Sequence, residues 1–181
     1  MVMPFESALV VLVPEAESLV KSFRDQYDPS ASVGVPAHVT ILYPFKPPDE
    51  LTADVIATLH DLVSRLPSFN VSFQEFQGFP DVLYLAPMPA EPFQRLTESV
   101  ASRYPEAPPY GGAFPEIVPH LTIAQVSEHQ KLDEIANEFR EMARAKLPIH
   151  ARVNTVSLMD NSSGYWKIRA QFSLGSDQHV S

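Results

Sequence analysis

The sequence predicts an α+β fold: a bilobal, pseudo-two-fold arrangement of two mainly antiparallel sheets, flanked by helices, around a central cleft. Three observations carry this. The element order reads β-α-β-α-β and then starts again as β-α-β-α-β-β. Four helical segments each keep their apolar residues on one side, as a helix covering a sheet must. Prolines close equivalent strands in both halves, Pro14 in the first and Pro87 in the second. The expectation is one domain over residues 1–181, with approximate repeats 7–80 and 82–174.

Ser7–Val13 is a short β-rich run ended by Pro14, and reads as a buried strand. Its start lacks the basic n-region and small-residue cleavage site of a signal peptide, which makes a cytoplasmic protein the expectation. Glu15–Tyr27 has Leu19, Val20 and Phe23 at helical spacing, and a loop follows to about Gly34. Val35–Tyr43 reads as a strand. Asp49 is placed to cap a helix whose stripe is Leu51, Val55, Ile56, Leu59, Leu62, Val63 and Leu66, stopped by Pro67. Phe69–Phe76 alternates as a strand, and Gly78, Pro80 and Asp81 turn the chain.

In the second half, Val82–Ala86 is the partner strand, and a helix runs from Pro92 to Arg103 with proline in its first turn. The loop Tyr104–Pro115 is rich in proline and glycine. Ile117–Gln125 is a strand. Ser127 and Gln130 form a capping box for a helix to about Ala145, with Leu132, Ile135, Ala136, Phe139 and Met142 on one side. Ile149–Met159 and Tyr165–Leu174 are strands joined by the turn-rich Asp160–Gly164.

Composition excludes several kinds of protein. No apolar run approaches the ~20 residues of a membrane span. There is no cysteine, hence no disulfide, thiolate metal site or cysteine nucleophile. A net charge of −9, with 13 Lys and Arg against 22 Asp and Glu, speaks against gripping duplex DNA but leaves room for a small nucleotide or an RNA end. No GxxxxGK[ST] loop supports ATP-driven chemistry. No His/Asp/Glu cluster has metal-ligand spacing, so neither a metal nor another cofactor is expected. A monomer is the expected state.

The chemistry concentrates on two matching strands. The first contains Ala37-His38-Val39-Thr40-Ile41, the second Pro119-His120-Leu121-Thr122-Ile123. Alternation turns Val35, Ala37, Val39 and Ile41 to the core in one, and Ile117, Pro119, Leu121 and Ile123 in the other. His38 with Thr40, and His120 with Thr122, then share the opposite face. Six histidines and six threonines would give about 0.2 such matches by chance, so two at equivalent places are informative. Near neutral pH one imidazole can take a proton while a second, protonated, gives one. A pair across a cleft suits in-line displacement at phosphorus, with the threonine hydroxyls donating to phosphate oxygens.

These motifs, in tandem, resemble the two-histidine phosphoesterase superfamily, and most closely its bacterial branch named for 2′-5′ RNA ligase and cyclic phosphodiesterase activity. The resemblance implies a bilobal fold with a central cleft. It also implies metal-independent phosphodiesterase chemistry on 2′,3′-cyclic or 2′-5′-linked nucleotides, with His38, Thr40, His120 and Thr122 as the catalytic four. RNA-acting members often carry an arginine shortly after each threonine. Here those places hold Leu42 and Gln125, with Lys46 the nearby base, which favours a small phosphodiester. The alternative is a non-catalytic module that binds a nucleotide or RNA end in the same cleft.

Further residues are candidates for holding substrate. Tyr43 and Phe45 could supply a ring to stack on a base, or simply close a strand. Lys167 and Arg169 share a strand face with Tyr165 and could supply phosphate-binding charge if that face lines the cleft. Tyr110, Gly111, Gly112 and Phe114 could form a lid, or merely pack their loop. His60 reads as core-edge packing, His129 as solvated, His150 as unpartnered and His179 as part of a polar tail.

Overall fold

Strand pairing organises the molecule. The computed structural model describes residues 4–176. Its strands are β1 (Ser7–Leu12), β2 (His38–Leu42), β3 (Phe69–Phe79), β4 (Val82–Met88), β5 (Leu121–Gln125), β6 (Ile149–Val153), β7 (Thr155–Asp160) and β8 (Lys167–Ser173). The helices are α1 (Glu17–Tyr27), the one-turn α2 (Pro29–Ser32), α3 (Ala53–Ser64), α4 (Glu91–Arg103) and α5 (His129–Ala143). All named strand pairs are antiparallel.

The expected two sheets are joined into one. The order is β6-β3-β4-β5-β2-β1-β7-β8, two four-stranded halves meeting at β5 and β2. Their seam is narrow: a single register pair, Val39 opposite Leu121, against four between β1 and β2. Such a seam holds the two centre strands together at one point and lets them diverge elsewhere.

The predicted strand Ile149–Met159 is in fact two. It breaks at Asn154, and its parts serve different halves: β6 pairs with β3 and β7 pairs with β1. One residue therefore carries the chain from one edge of the sheet to a strand six places away. This is possible only because the sheet curls. A parallel bridge between Pro67 and Gly175, and the Leu174 N–H bond to the Asn154 carbonyl (2.9 Å), tie that closure.

Several boundaries also shift, each for a local reason. Thr52, not Asp49, caps α3 by accepting from the Val55 N–H at 3.3 Å, because residues 48–50 form a separate single turn. α5 begins at His129 with no side-chain cap, so the expected Ser127–Gln130 box does not form. β4 runs on through Pro87, which lies beyond the residues paired to β5, so its missing N–H costs no bond on that side. β2 starts only at His38, because residues 35–37 bond to neighbouring loops and helices instead of to a strand.

One side of the sheet carries the helices and the main core. Leu9, Val11, Val39, Ile41, Leu85, Leu121 and Ile123 are all within 4% of complete burial there, together with Leu19, Phe93 and Phe139 from the helices. The alternation predicted for β2 and β5 therefore holds from Ala37 onward. Val35 is a correction: it packs into a small second cluster with Ala8, Val10 and Met159, since its segment lies before the strand. β1 alternates between the two clusters and is buried on both faces.

Candidate active site

Both predicted motifs survive as spatial neighbours at the β2–β5 seam. His38 and Thr40 lie in β2; Thr122 lies in β5, and His120 immediately precedes it. Val39 opposite Leu121 sets the register. Extended by one residue each way, it puts His38 across from Thr122 and Thr40 across from His120. The two motifs thus form a crossed square on the face away from the helices, with the imidazoles on one diagonal.

Each imidazole is held in the same way. His38 donates from Nδ1–H to the Pro36 carbonyl at 2.7 Å, and His120 donates from Nδ1–H to the Val118 carbonyl at 2.7 Å. A carbonyl only accepts, so this bond fixes the tautomer and leaves each Nε2 with a free lone pair. Both rings are only partly exposed. Burial pushes His38 down from its ordinary value to about 4; the Arg24 cation and the charge of His120 push the same way, and the Pro36 bond and Asp28 push back. His120 is also lowered by burial, against the pull of its bond to Val118.

The surroundings of the two motifs differ. His120 is flanked edge-on by Phe79 (5.4 Å between centroids) and Tyr84 (5.5 Å), which stack on each other at 4.7 Å. Tyr84 pairs with Thr122 across β4 and β5, so it stands on the site face. The residue in the same relation to Thr40 is Val10. Behind His38, the buried guanidinium of Arg24 donates from Nε to Asp28 (2.9 Å) and from a terminal nitrogen to the Val35 carbonyl (2.9 Å) and the Ser30 hydroxyl (3.1 Å). Glu17 accepts the Ala37 N–H. Thr40 and Tyr110 line the wall of one cavity.

Of the lid candidates, Tyr110 therefore reaches the site. Its backbone is left-handed (φ 50°), and its N–H donates to the Tyr43 carbonyl at 2.6 Å. Gly111 and Gly112 follow, also with positive φ, where a side chain would be strained. This loop and α4 enclose a cavity of about 450 Å3 beside Thr40, walled by Thr97, Tyr110, Phe114 and Val118.

Other candidates are not brought together with the motifs. Phe45 is a correction: it is 6% exposed and packs edge-on against Tyr104 at 5.2 Å, so no face is free for a base. Tyr43 is half-buried, donates to Glu6 at 2.6 Å and lies edge-on to Trp166; burial, then Glu6, pushes its hydroxyl up to about 12. Lys167 and Arg169 lie on β8, the sheet's outer strand, about 14 Å from β2 at ordinary strand spacing, and Arg169 is engaged by Asp160 at 3.2 Å. Leu42 is fully buried and Gln125 exposed. His60 is exposed on α3 and not at the core edge; His129 and His150 are exposed, and His179 lies outside the described residues. Among the described residues no helix is long and apolar enough to cross a membrane, and no group of three or more His, Asp or Glu is placed to hold a metal ion.

Sequence reasoning missed Arg24, Asp28, Phe79 and Tyr84. Arg24 had a signal: it falls four residues after Val20 on the apolar side of its helix and four before Asp28, which marks a buried ion pair. Tyr84 had none, because which face it takes depends on the pairing of β4 with β5.

A curled antiparallel sheet with helices on one side is a fold with known members. Escherichia coli LigT, crystallised with 3′-AMP, superposes with a TM-score of 0.59 at 18% identity, covering 95% of this chain and 99% of that one. The Thermus thermophilus protein TT0787 gives 0.59 at 18% identity, covering 96% and 100%. Sequence makes the assignment narrower. Proteins carrying the provisional name phosphoesterase match from Bacillus pumilus (27% identical over 175 residues, 93% of this chain and 97% of that one) and from Staphylococcus aureus strain Newman (26% over 172 residues, 91% and 97%). The 2′-5′ RNA ligase superfamily profile matches residues 12–164, and the chain belongs to that superfamily, the two-histidine phosphoesterases.

Proposed function

We propose that the protein is a metal-independent phosphodiesterase that opens 2′,3′-cyclic phosphates or cleaves 2′-5′ linkages in small nucleotides, with His38 and His120 as general acid and base. The observation that carries this is the matched anchoring of the two imidazoles. Each spends its Nδ1–H on a backbone carbonyl and presents Nε2 on the same face of the β2–β5 seam. In hydrolysis of a cyclic phosphate, one Nε2 takes a proton from the attacking water as its oxygen bonds to phosphorus. The bond from phosphorus to the 2′ or 3′ oxygen breaks, and the other imidazole, protonated, gives that oxygen its proton. Thr40 and Thr122, each beside the opposite histidine, donate to the non-bridging oxygens, where negative charge grows.

A small substrate fits the charge. The net −9 and the absence of a cation after either threonine offer little to a long polyanion. A nucleoside phosphate needs only the directed donors of the seam. Turnover of a 2′,3′-cyclic nucleotide panel, with and without EDTA, tests the proposal. The expected result is monophosphate release that EDTA leaves unchanged and that His38→Ala and His120→Ala each reduce at least ~100-fold. Tight binding without turnover would make the cleft a recognition module, and loss of activity in EDTA would replace the two-histidine mechanism with a metal-dependent one.

A further inference from the structure

We propose that Arg24, locked against Asp28, is a positioning residue for His38, and that Gln94 is its uncharged counterpart for His120. The inference deepens the acid–base reading of the two histidines and takes its significance from it. Arg24 and Asp28 have side chains only 3% and 4% exposed, and Arg24 grips the Val35 carbonyl three residues before His38. On α4, Gln94 donates from Nε2 to the Ile117 carbonyl at 3.1 Å, three residues before His120. In both places the gripped carbonyl opens the short segment before the strand, and the next carbonyl in that segment holds the imidazole Nδ1–H. Each half thus fixes its histidine by the same device: a donor from a long helix earlier in that half, α1 or α4, holds the segment, and the segment holds the ring.

The device is built from different chemistry on the two sides. Arg24 makes three bonds, with Asp28, Ser30 and Val35, and carries a full charge; the Gln94 amide makes one bond of this kind and carries none. The charged and ionisable groups around the His38 segment are Arg24, Asp28, Glu17 at the Ala37 N–H, His120 across the seam, and Tyr110 beyond Thr40. Among these the Arg24 cation outweighs Asp28 in opposing a proton on His38. No such cation acts on His120, which is lowered by burial alone. The buried cation stands on the His38 side only, so the two rings hold a proton unequally, His38 the less readily.

Imidazole nitrogen NMR of the ligand-free protein tests this without any substrate. In wild type, His38 is expected to titrate below His120, with both rings in the Nδ1–H tautomer. Arg24→Gln is expected to raise the His38 midpoint by about one pH unit and to leave His120 nearly where it was. Arg24→Gln combined with Asp28→Asn removes both buried charges, which guards against a single variant that fails to fold, and is expected to raise it by about half as much. Arg24→Lys keeps the charge but not the fork; its His38 midpoint is expected to stay, while kcat on a cyclic phosphate falls about tenfold at nearly constant KM. Gln94→Leu is expected to loosen the tautomer preference of His120 alone. A folded Arg24→Gln or double variant whose His38 midpoint and tautomer match wild type overturns the proposal. Since the titrations need no turnover, they stand apart from whether a cyclic phosphate is the substrate.

Discussion

The two His-x-Thr regions share one backbone design and differ in almost everything packed around it. Both hold the imidazole by a 2.7 Å bond to the carbonyl two residues back, and both set threonine on the same face. The His38 side is backed by a buried ion pair and fronted by Tyr110, with Val10 beside its threonine. The His120 side has no such charge; it has an aromatic pair, Phe79 and Tyr84, with Tyr84 beside its threonine. The difference teaches that a repeated motif can supply matched geometry while its surroundings supply unmatched chemistry. Acid and base must hold their protons differently at one pH, so two identical environments would serve the reaction less well than these.

The strongest way to break the comparison is to remove one ring at a time. His38→Ala and His120→Ala are each expected to cost about 100-fold or more, up to ~10,000-fold, in kcat, and the double variant little beyond the larger single loss, because the two act as a unit. Steady-state turnover on one cyclic nucleotide measures all three.

Stability against pH separates the two histidines next. Folded His38 is held at about 4 against an ordinary 6.5. Above pH 6.5 neither folded nor unfolded chain protonates it. Between about 6.5 and 4 the unfolded chain gains a proton that the folded chain refuses, so stability falls as pH falls, by about 3 kcal/mol at most. Urea midpoints at pH 7 and pH 4.5 are expected to drop further for wild type than for His38→Gln.

Smaller effects sharpen the comparison. Thr40→Val and Thr122→Val are each expected to lower kcat/KM about tenfold, and only Thr40→Val, whose side chain shares a cavity wall with Tyr110, is expected to alter protease cutting of the 108–115 loop as well. Tyr84→Leu is expected to cost about 1–2 kcal/mol of stability and to raise the titration midpoint of His120, since burial is what lowers it. His38 is expected to be unmoved, which imidazole NMR reads directly.

Much of this was legible in the chain because it depends on local periodicity. The alternation of Val39, Thr40 and Ile41, and of Leu121, Thr122 and Ile123, already turns the hydroxyls away from the core, and the stripes of α1, α4 and α5 already say where the helices lie. The break at Asn154 was not legible, because Ile149–Met159 is β-rich throughout and nothing within it says that its two parts have different partners. Phe45 stays ambiguous in the chain for a similar reason. An aromatic after a strand looks the same in sequence whether it meets Tyr104 in the core or a ligand outside. At the site, the histidines and threonines could be read from spacing. Their modulators could not, since Tyr84 reaches His120 through strand pairing and Gln94 reaches Ile117 from another element.

The crossing at Asn154 has a consequence for biosynthesis. β1 is paired on one side by β2 and on the other by β7, with Ser7 opposite Asp160. A ribosome that has made everything through α5 has already delivered both histidines and both threonines, but it has not delivered the strand that covers β1. Until residues 155–173 emerge, a strand that is apolar on both faces presents an unpaired edge, the form of nascent chain most prone to stick to its neighbours. Chains cut short before β7 are expected to be insoluble despite carrying the whole motif set. The residues of the centre are made early, and the frame that holds them in register closes last.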